Sequence, residues 1–149
     1  MKIRKATKKD AEEILKLVKI SNNEYSKLIG KNTIFTNNEI KKDFNKTLKS
    51  HNKFLLVAEE TKNIFGYLFG ELSSYKNNKT GNIDFLFILR NYRKKGIALD
   101  LVQEFIKILK SKNVDKIRLK VNIKNQDAFN FYKKFGFKIT NYEMEKKLK

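Results

Sequence analysis

Arg93-Lys94-Lys95-Gly96-Ile97-Ala98 lies between an apolar run that ends at Leu89 and an amphipathic stretch that reaches Lys110. The apolar run, residues 82–89, is hydrophobic on both faces except at Asp84, as a central strand covered on both sides would be. The stretch after it puts Asp100, Gln103, Glu104, Lys107 and Lys110 on one face and Ala98, Leu101, Val102, Phe105 and Leu109 on the other. A helix beginning near Lys95 is therefore expected directly after a buried strand. The first amides of such a helix have no partner inside it, and small residues such as Gly96 and Ala98 let a ligand approach them. With the positive helix end and with Arg93, Lys94 and Lys95, these donors suit a pyrophosphate. The segment contains neither the Gly-x4-Gly-Lys-Ser/Thr of a P-loop nor the Gly-x-Gly-x-x-Gly of a dinucleotide fold. Taken alone, the hexapeptide equally describes a helix start with exposed lysines.

Outward from this junction, the pattern alternates helix and strand. Residues 2–6 read as a short strand, and Thr7-Lys8-Lys9-Asp10 as a helix start. Ala11, Ile14, Leu15, Val18 and Tyr25 predict a helix to about residue 28, stopped by Gly30. Thr36-Asn37-Asn38-Glu39 is a second capping box, with Ile40, Phe44 and Leu48 marking a helix to about Ser50. Residues 53–59 and 64–73 form a hairpin around Thr61-Lys62-Asn63, and a turn over residues 77–81 leads into the run at 82–89. Beyond Lys110, the alternation of Ile117, Leu119, Val121 and Ile123 predicts a strand over 116–123. A helix follows from Asn125 to Gly136, and a last strand region from Phe137 to about Leu148. The order β-α-α-β-β-β-α-β-α-β places the chain in the α/β or mixed α+β class, a sheet sandwiched by helices. No repeat or linker interrupts it, so residues 1–149 read as a single domain.

Composition removes several chemistries. With no Cys and one His, His51, the chain has no thiol nucleophile, no disulfide, and no material for a His-based metal site or a Ser-His-Asp triad. His51 is expected on an exposed loop before a strand, without a role. No secretory signal or membrane-length apolar run is visible, which points to a cytoplasmic address. The formal net charge of +18 would attract polyanions, but the lysines are spread along the whole chain, as a compositional habit would also spread them.

Arg93-Lys94-Lys95-Gly96-Ile97-Ala98 resembles the Arg/Gln-x-x-Gly-x-Gly/Ala signature of the GNAT superfamily of acetyl-CoA-dependent N-acetyltransferases, with Arg90 where Pro is usual in the lead-in. Asn125-Gln126-Asp127-Ala128 through Tyr132 to Gly136-Phe137 resembles that family's second signature, Asn-x-x-Ala-x-x-x-Tyr-x-x-x-Gly-Phe. The opening, Ile3 to Thr7 and Asp10-Ala11, is similar to the family's start, so the resemblance covers nearly the whole chain.

The resemblance implies a mixed, mostly antiparallel sheet flanked by helices on both faces. It also implies direct transfer of an acetyl group from acetyl-CoA to a primary amine in a ternary complex. Backbone N–H groups of residues 94–99 would hold the pyrophosphate. The strand edge at Phe87, Ile88 and Leu89 would pair with the pantetheine arm, and a bulge near residues 84–87 would open the sheet there. Arg93, Lys94, Lys95, Gly96, Ile97, Ala98, Leu99, Asn125, Ala128, Phe131 and Tyr132 complete the implied cofactor site. A backbone N–H near Leu86 to Ile88 would face the developing oxyanion. Tyr132 would be the general acid, although aromatics at helical spacing also serve as core. Asp84, then Glu71, are the candidate bases, and Asp84 paired with a lysine at a strand edge is the competing reading.

The acceptor would meet the first two helices and their loop, residues 21–38, and the C-terminal strands. The chain would work as a monomer or homodimer. The alternative function is a non-catalytic basic module of this fold that binds nucleic acid or a ribosome.

Overall fold

Three strands in succession build the body of the sheet, and their register explains its shape. The computed structural model describes residues 1–32 and 35–149. β1 (Lys2–Lys5), β2 (Lys53–Glu60), β3 (Asn63–Tyr75), β4 (Asn78–Ile88) and β5 (Lys116–Leu119) form one five-stranded sheet in the order β1-β2-β3-β4-β5. All neighbours are antiparallel except β4 and β5, which run parallel. α1 (Ala11–Ile29) and α2 (Asn37–Lys49) pack on one face, and α3 (Ile97–Lys110) on the other, with α4 (Gln126–Lys134) joining the α3 side.

Alternation along β2 divides the two cores. Phe54, Leu56 and Ala58 meet Leu101, Val102 and Phe105 of α3, whereas Leu55 and Val57 meet Ile14 and Leu17 of α1 and Phe44 of α2. The capping boxes are present at both expected places. The Asp10 carboxylate accepts from the Thr7 N–H (2.6 Å), and the Thr36 N–H donates to Glu39 (2.7 Å). Gly30 ends α1 in the left-handed region at φ 72°.

β4 carries the irregularity that matters for function. Phe69 lies opposite Phe85 while Gly70 lies opposite Ile83, so Asp84 is the extra residue of a β-bulge. The bulge reverses the phase of the strand. Ile83 faces α3, and beyond it Ile88 continues on that face while Phe87 turns to the α1 side. β5 pairs with β4 only from Thr80 to Ile83, which leaves the Asp84–Ile88 edge without a strand neighbour.

Several expectations need correction. The turn before β4 is confined to Lys76 and Asn77, whose φ values of 45° and 64° reverse the chain, and residues 78–81 already belong to the strand. Phe85 is exposed beside Asp84, so the run 82–89 is not covered throughout. α3 starts at Ile97, because Gly96 takes φ 81° and serves as its N-cap. The strand predicted over 116–123 stops at Leu119, where the chain leaves β4 and Asn122 begins a turn into α4. Among the described residues 137–149 form no strand: Phe137 packs on Tyr132, but Ile139, Tyr142, Met144 and Leu148 are exposed and find no ladder partner. His51 sits exposed on the bend before β2, as expected.

Candidate active site

The site forms where β4 loses its neighbour and α3 begins. Arg90–Tyr92 make a single 3-10 turn after β4, and Tyr92 stacks on Phe65 with ring centroids 4.2 Å apart. Lys94 takes φ 62° and Gly96 φ 81°, so the chain enters α3 through two left-handed residues. Such alternations fold successive N–H groups into an anion-binding concavity. The N–H of Asp100 is the first to find a helical acceptor, the Gly96 carbonyl at 3.0 Å. Among the described residues the backbone N–H groups of residues 94–99 have no acceptor. A Cβ built on Gly96 would meet nothing within 4 Å, so open space lies directly over this turn.

The basic side chains divide in a way the motif does not reveal. The Arg93 Nε donates to the Ile88 carbonyl (2.8 Å), and its Nη2 donates to Glu24 of α1 (2.6 Å), with the guanidinium 5.5 Å from the Phe87 ring centre. Arg93 therefore holds the loop against β4 and α1 at the edge of the expected phosphate site. The Lys95 ammonium lies 5.4 Å from the Tyr92 ring centre, beside the stacked pair. Lys94 has neither an ion pair nor a ring contact among the described residues and faces solvent.

The open edge of β4 has defined polarity. Leu89 donates its N–H to Phe65 of β3 (2.8 Å), and groups alternate along an antiparallel strand. Leu86 and Ile88 thus turn their backbone groups toward the gap. The Ile88 carbonyl is occupied by Arg93. The N–H groups of Leu86 and Ile88 and the Leu86 carbonyl remain for an incoming chain.

α4 closes the far side. Asn125 caps it, its Oδ1 accepting from the Ala128 N–H at 3.2 Å, so this side chain is used within the fold. Ala128 and Phe131 pack against the same core as Ile88 and Ile97. The Tyr132 ring is 8% exposed, held edge-on by Phe131 and Phe137 with centroids at 5.0 and 5.3 Å. Its hydroxyl has no hydrogen bond among the described residues, yet it is not a sealed-off polar atom. Burial pushes this phenol well above its ordinary pKa, so it holds its proton at neutral pH.

On the opposite face the bulge turns Asp84 toward Glu71, which pairs across the sheet with Asn82 and Lys53. Partial burial raises the Asp84 pKa, the Glu71 charge raises it further, and Lys53 opposes the shift. The two candidate bases are thus neighbours, and Asp84 has no salt bridge to a lysine among the described residues. Of the loop expected to meet an acceptor, residues 33 and 34 lie outside the described residues.

Comparisons with known proteins bear on the family and the fold. The profile of the acetyltransferase (GNAT) family matches residues 14–137. An N-alpha-acetyltransferase of Sulfurisphaera tokodaii is 31% identical over 100 residues, which is 61% of this chain and 60% of that protein. The chain thus spans about three fifths of the length of the curated relative it matches. A tetramutant of the BH1408 protein from Bacillus halodurans superposes with a TM-score of 0.87 at 25% identity, covering 99% of this chain and 100% of that one. An aminoglycoside N-acetyltransferase solved with CoA shares the fold, with a TM-score of 0.80 at 15% identity over 98% of this chain and 93% of that one.

Proposed function

The chain belongs to the acetyltransferase (GNAT) family, and from that premise we propose that it is an N-acetyltransferase that moves an acetyl group from acetyl-CoA to a primary amine. The observation that carries this reading is the run of acceptor-free backbone N–H groups at residues 94–99, under open space at Gly96 and beside the unpaired edge of β4. That arrangement fits a diphosphate followed by an extended amide-bearing arm. Among the described residues no helix is long and apolar enough to cross a membrane.

Acetyl-CoA, when bound, supplies an activated thioester carbonyl. Everything else falls to the chain. The N–H groups of residues 94–99 hold the diphosphate without needing the Arg93 side chain. The Leu86 carbonyl and the Ile88 N–H accept and donate to the pantetheine amides, as sheet edges do for peptides. The Leu86 N–H, next to the bulge, is oriented to stabilise negative charge on the thioester oxygen. Tyr132, kept protonated by burial, donates to the departing sulfur. Asp84, its proton affinity raised by burial and Glu71, takes the proton from the amine, directly or through water. Lys94 adds positive charge at the rim of the diphosphate site. Asn125, Ala128 and Phe131 shape the wall that carries Tyr132.

Thiol release from acetyl-CoA in the presence of a panel of primary amines tests this reading. Amine-dependent release supports it. Acetyl-CoA binding without release for any amine would leave only a binding module, and tight nucleic-acid binding without acetyl-CoA affinity would replace the reading altogether.

A further inference from the structure

A cavity of about 230 Å³ opens on the α1–α2 side of the sheet, on the face opposite α3. Its walls are largely apolar: Val18 of α1, Ile40 and Phe44 of α2, Phe35 just before α2, and Phe69 and Phe85 of the sheet. Phe35 and Phe85 are 48% and 49% exposed, so two large rings stand at the mouth with half their surface in water. Phe69 and Phe85 lie opposite each other with ring centroids 6.3 Å apart. Lys53 and Asp43 are the charged residues of the lining, and Asn22 and Thr47 add polar groups.

The position of this cavity joins it to the proposed chemistry. Phe85 immediately follows the bulged Asp84, and Lys53 sits opposite Glu71 in the β2–β3 register. Neither carboxylate lines the cavity, but its Phe85 and Lys53 end is next in the chain to Asp84 and opposite Glu71, and most of the remaining wall is hydrocarbon and aromatic. We infer that, given the transferase reading above, the acceptor is a primary amine carrying one bulky apolar group close to its nitrogen. The group fills the space between Phe35, Phe44, Phe69 and Phe85, and the amine lies at Asp84 and Glu71.

Size and charge narrow the choice. Pockets for drug-sized molecules begin at ~300 Å³, so this one suits a single side chain rather than a multi-ring molecule. A polycationic acceptor would have to leave further ammonium groups against a largely apolar wall where, among the described residues, Asp43 is the one carboxylate and Lys53 repels them, at a desolvation cost only partly offset. Burying a group of the leucine or phenylalanine class should give a preference of ~10–150-fold over a small polar group.

The test compares kcat/KM, read as thiol release, for 2-phenylethylamine, for tetrapeptides that begin with Phe, Leu or Ser, and for spermidine. Preference of at least ~10-fold for the apolar members over the Ser peptide and spermidine supports the inference. The amine against the peptides tells a small arylalkylamine from a polypeptide N-terminus as the source of that group. Equal rates, or preference for spermidine, overturn the inference and leave acetyl transfer standing. Calorimetric absence of acetyl-CoA binding overturns the transferase reading itself, and this inference with it. Phe85→Ala should raise KM for the apolar acceptors ~10-fold with acetyl-CoA affinity unchanged, and an unmoved KM contradicts it. Phe35→Ser gives the same readout should Phe85→Ala fold poorly.

Discussion

The guanidinium of Arg93 joins the Glu24 carboxylate at 2.6 Å and the Ile88 carbonyl at 2.8 Å, which ties the loop before α3 to α1 and to the last residue of β4. Both bonds involve an ionised donor, and the one to Glu24 spans 69 positions of the chain. Arg93→Lys keeps the charge but cannot make the two bonds at once, because an ammonium lacks the planar fork. It should cost ~1–2 kcal/mol, or a few degrees in Tm. Affinity for acetyl-CoA should fall less than it does for changes at Gly96. A thermal melt alongside calorimetry separates the two effects. A fall in affinity with no change in Tm would return Arg93 to the diphosphate.

Gly96 is required for its backbone. At φ 81° any L side chain costs ~1–2 kcal/mol, and its Cβ would project into the space over the amides. Gly96→Val should lower acetyl-CoA affinity at least ~10-fold, from a steric and conformational penalty of ~1.4 kcal/mol or more. Calorimetry reads this directly.

Tyr132 offers a clean deletion, because its hydroxyl bonds to nothing among the described residues while its ring is packed between Phe131 and Phe137. Tyr132→Phe should leave Tm within about a degree or two and reduce kcat ~10²–10⁴-fold. An unchanged kcat would make Tyr132 a packing residue.

Asp84 links activity and stability with opposite signs. Its folded pKa lies above the ordinary aspartate value of 3.8, so the folded protein binds this proton more tightly than the unfolded chain does. Its contribution to stability is therefore most favourable below 3.8 and declines as pH rises through the raised value. Asp84→Asn should hold or raise Tm at pH 7 while kcat/KM falls and loses its acidic limb. Glu71→Gln should move that limb to lower pH without abolishing it.

Asp10 shows the reverse sign. Arg4 binds it through Nη1 at 2.7 Å and Nη2 at 2.9 Å, and these bonds, with help from Thr7, hold its pKa down to about 2. The stability it contributes is complete above 3.8 and is lost as pH falls toward 2. Acid titration of Tm should show a loss in that window that Asp10→Asn removes, at the cost of a lower Tm at pH 7.

Much of this was legible in the chain itself. Capping boxes, the amphipathic faces of α3 and the two signature segments each have a local cause, and the elements they imply are present. What escaped depended on distant partners. The role of Arg93 is set by Glu24, which lies 69 positions away. The bulge itself was expected near residues 84–87 from the resemblance and lies at Asp84, but the face each residue takes beyond it follows only from the register with Phe69 and Gly70. Phe137 and Ile139, then Tyr142 and Met144, are spaced as in a strand, but spacing supplies no neighbouring edge, and Ile139, Tyr142 and Met144 stay exposed. The paired rings of Phe69 and Phe85 were hydrophobic residues in sequence and became a cavity wall only through strand pairing.

The most direct test of the account is a titration of isotopically labelled protein with CoA, following backbone amides by NMR. The amides of residues 94–99 should shift first and together, those of Leu86 and Ile88 should follow, and the N–H of Leu89, already bonded to Phe65, should move least. Saturating CoA that leaves residues 94–99 unmoved, or that shifts only scattered surface lysines, would contradict it.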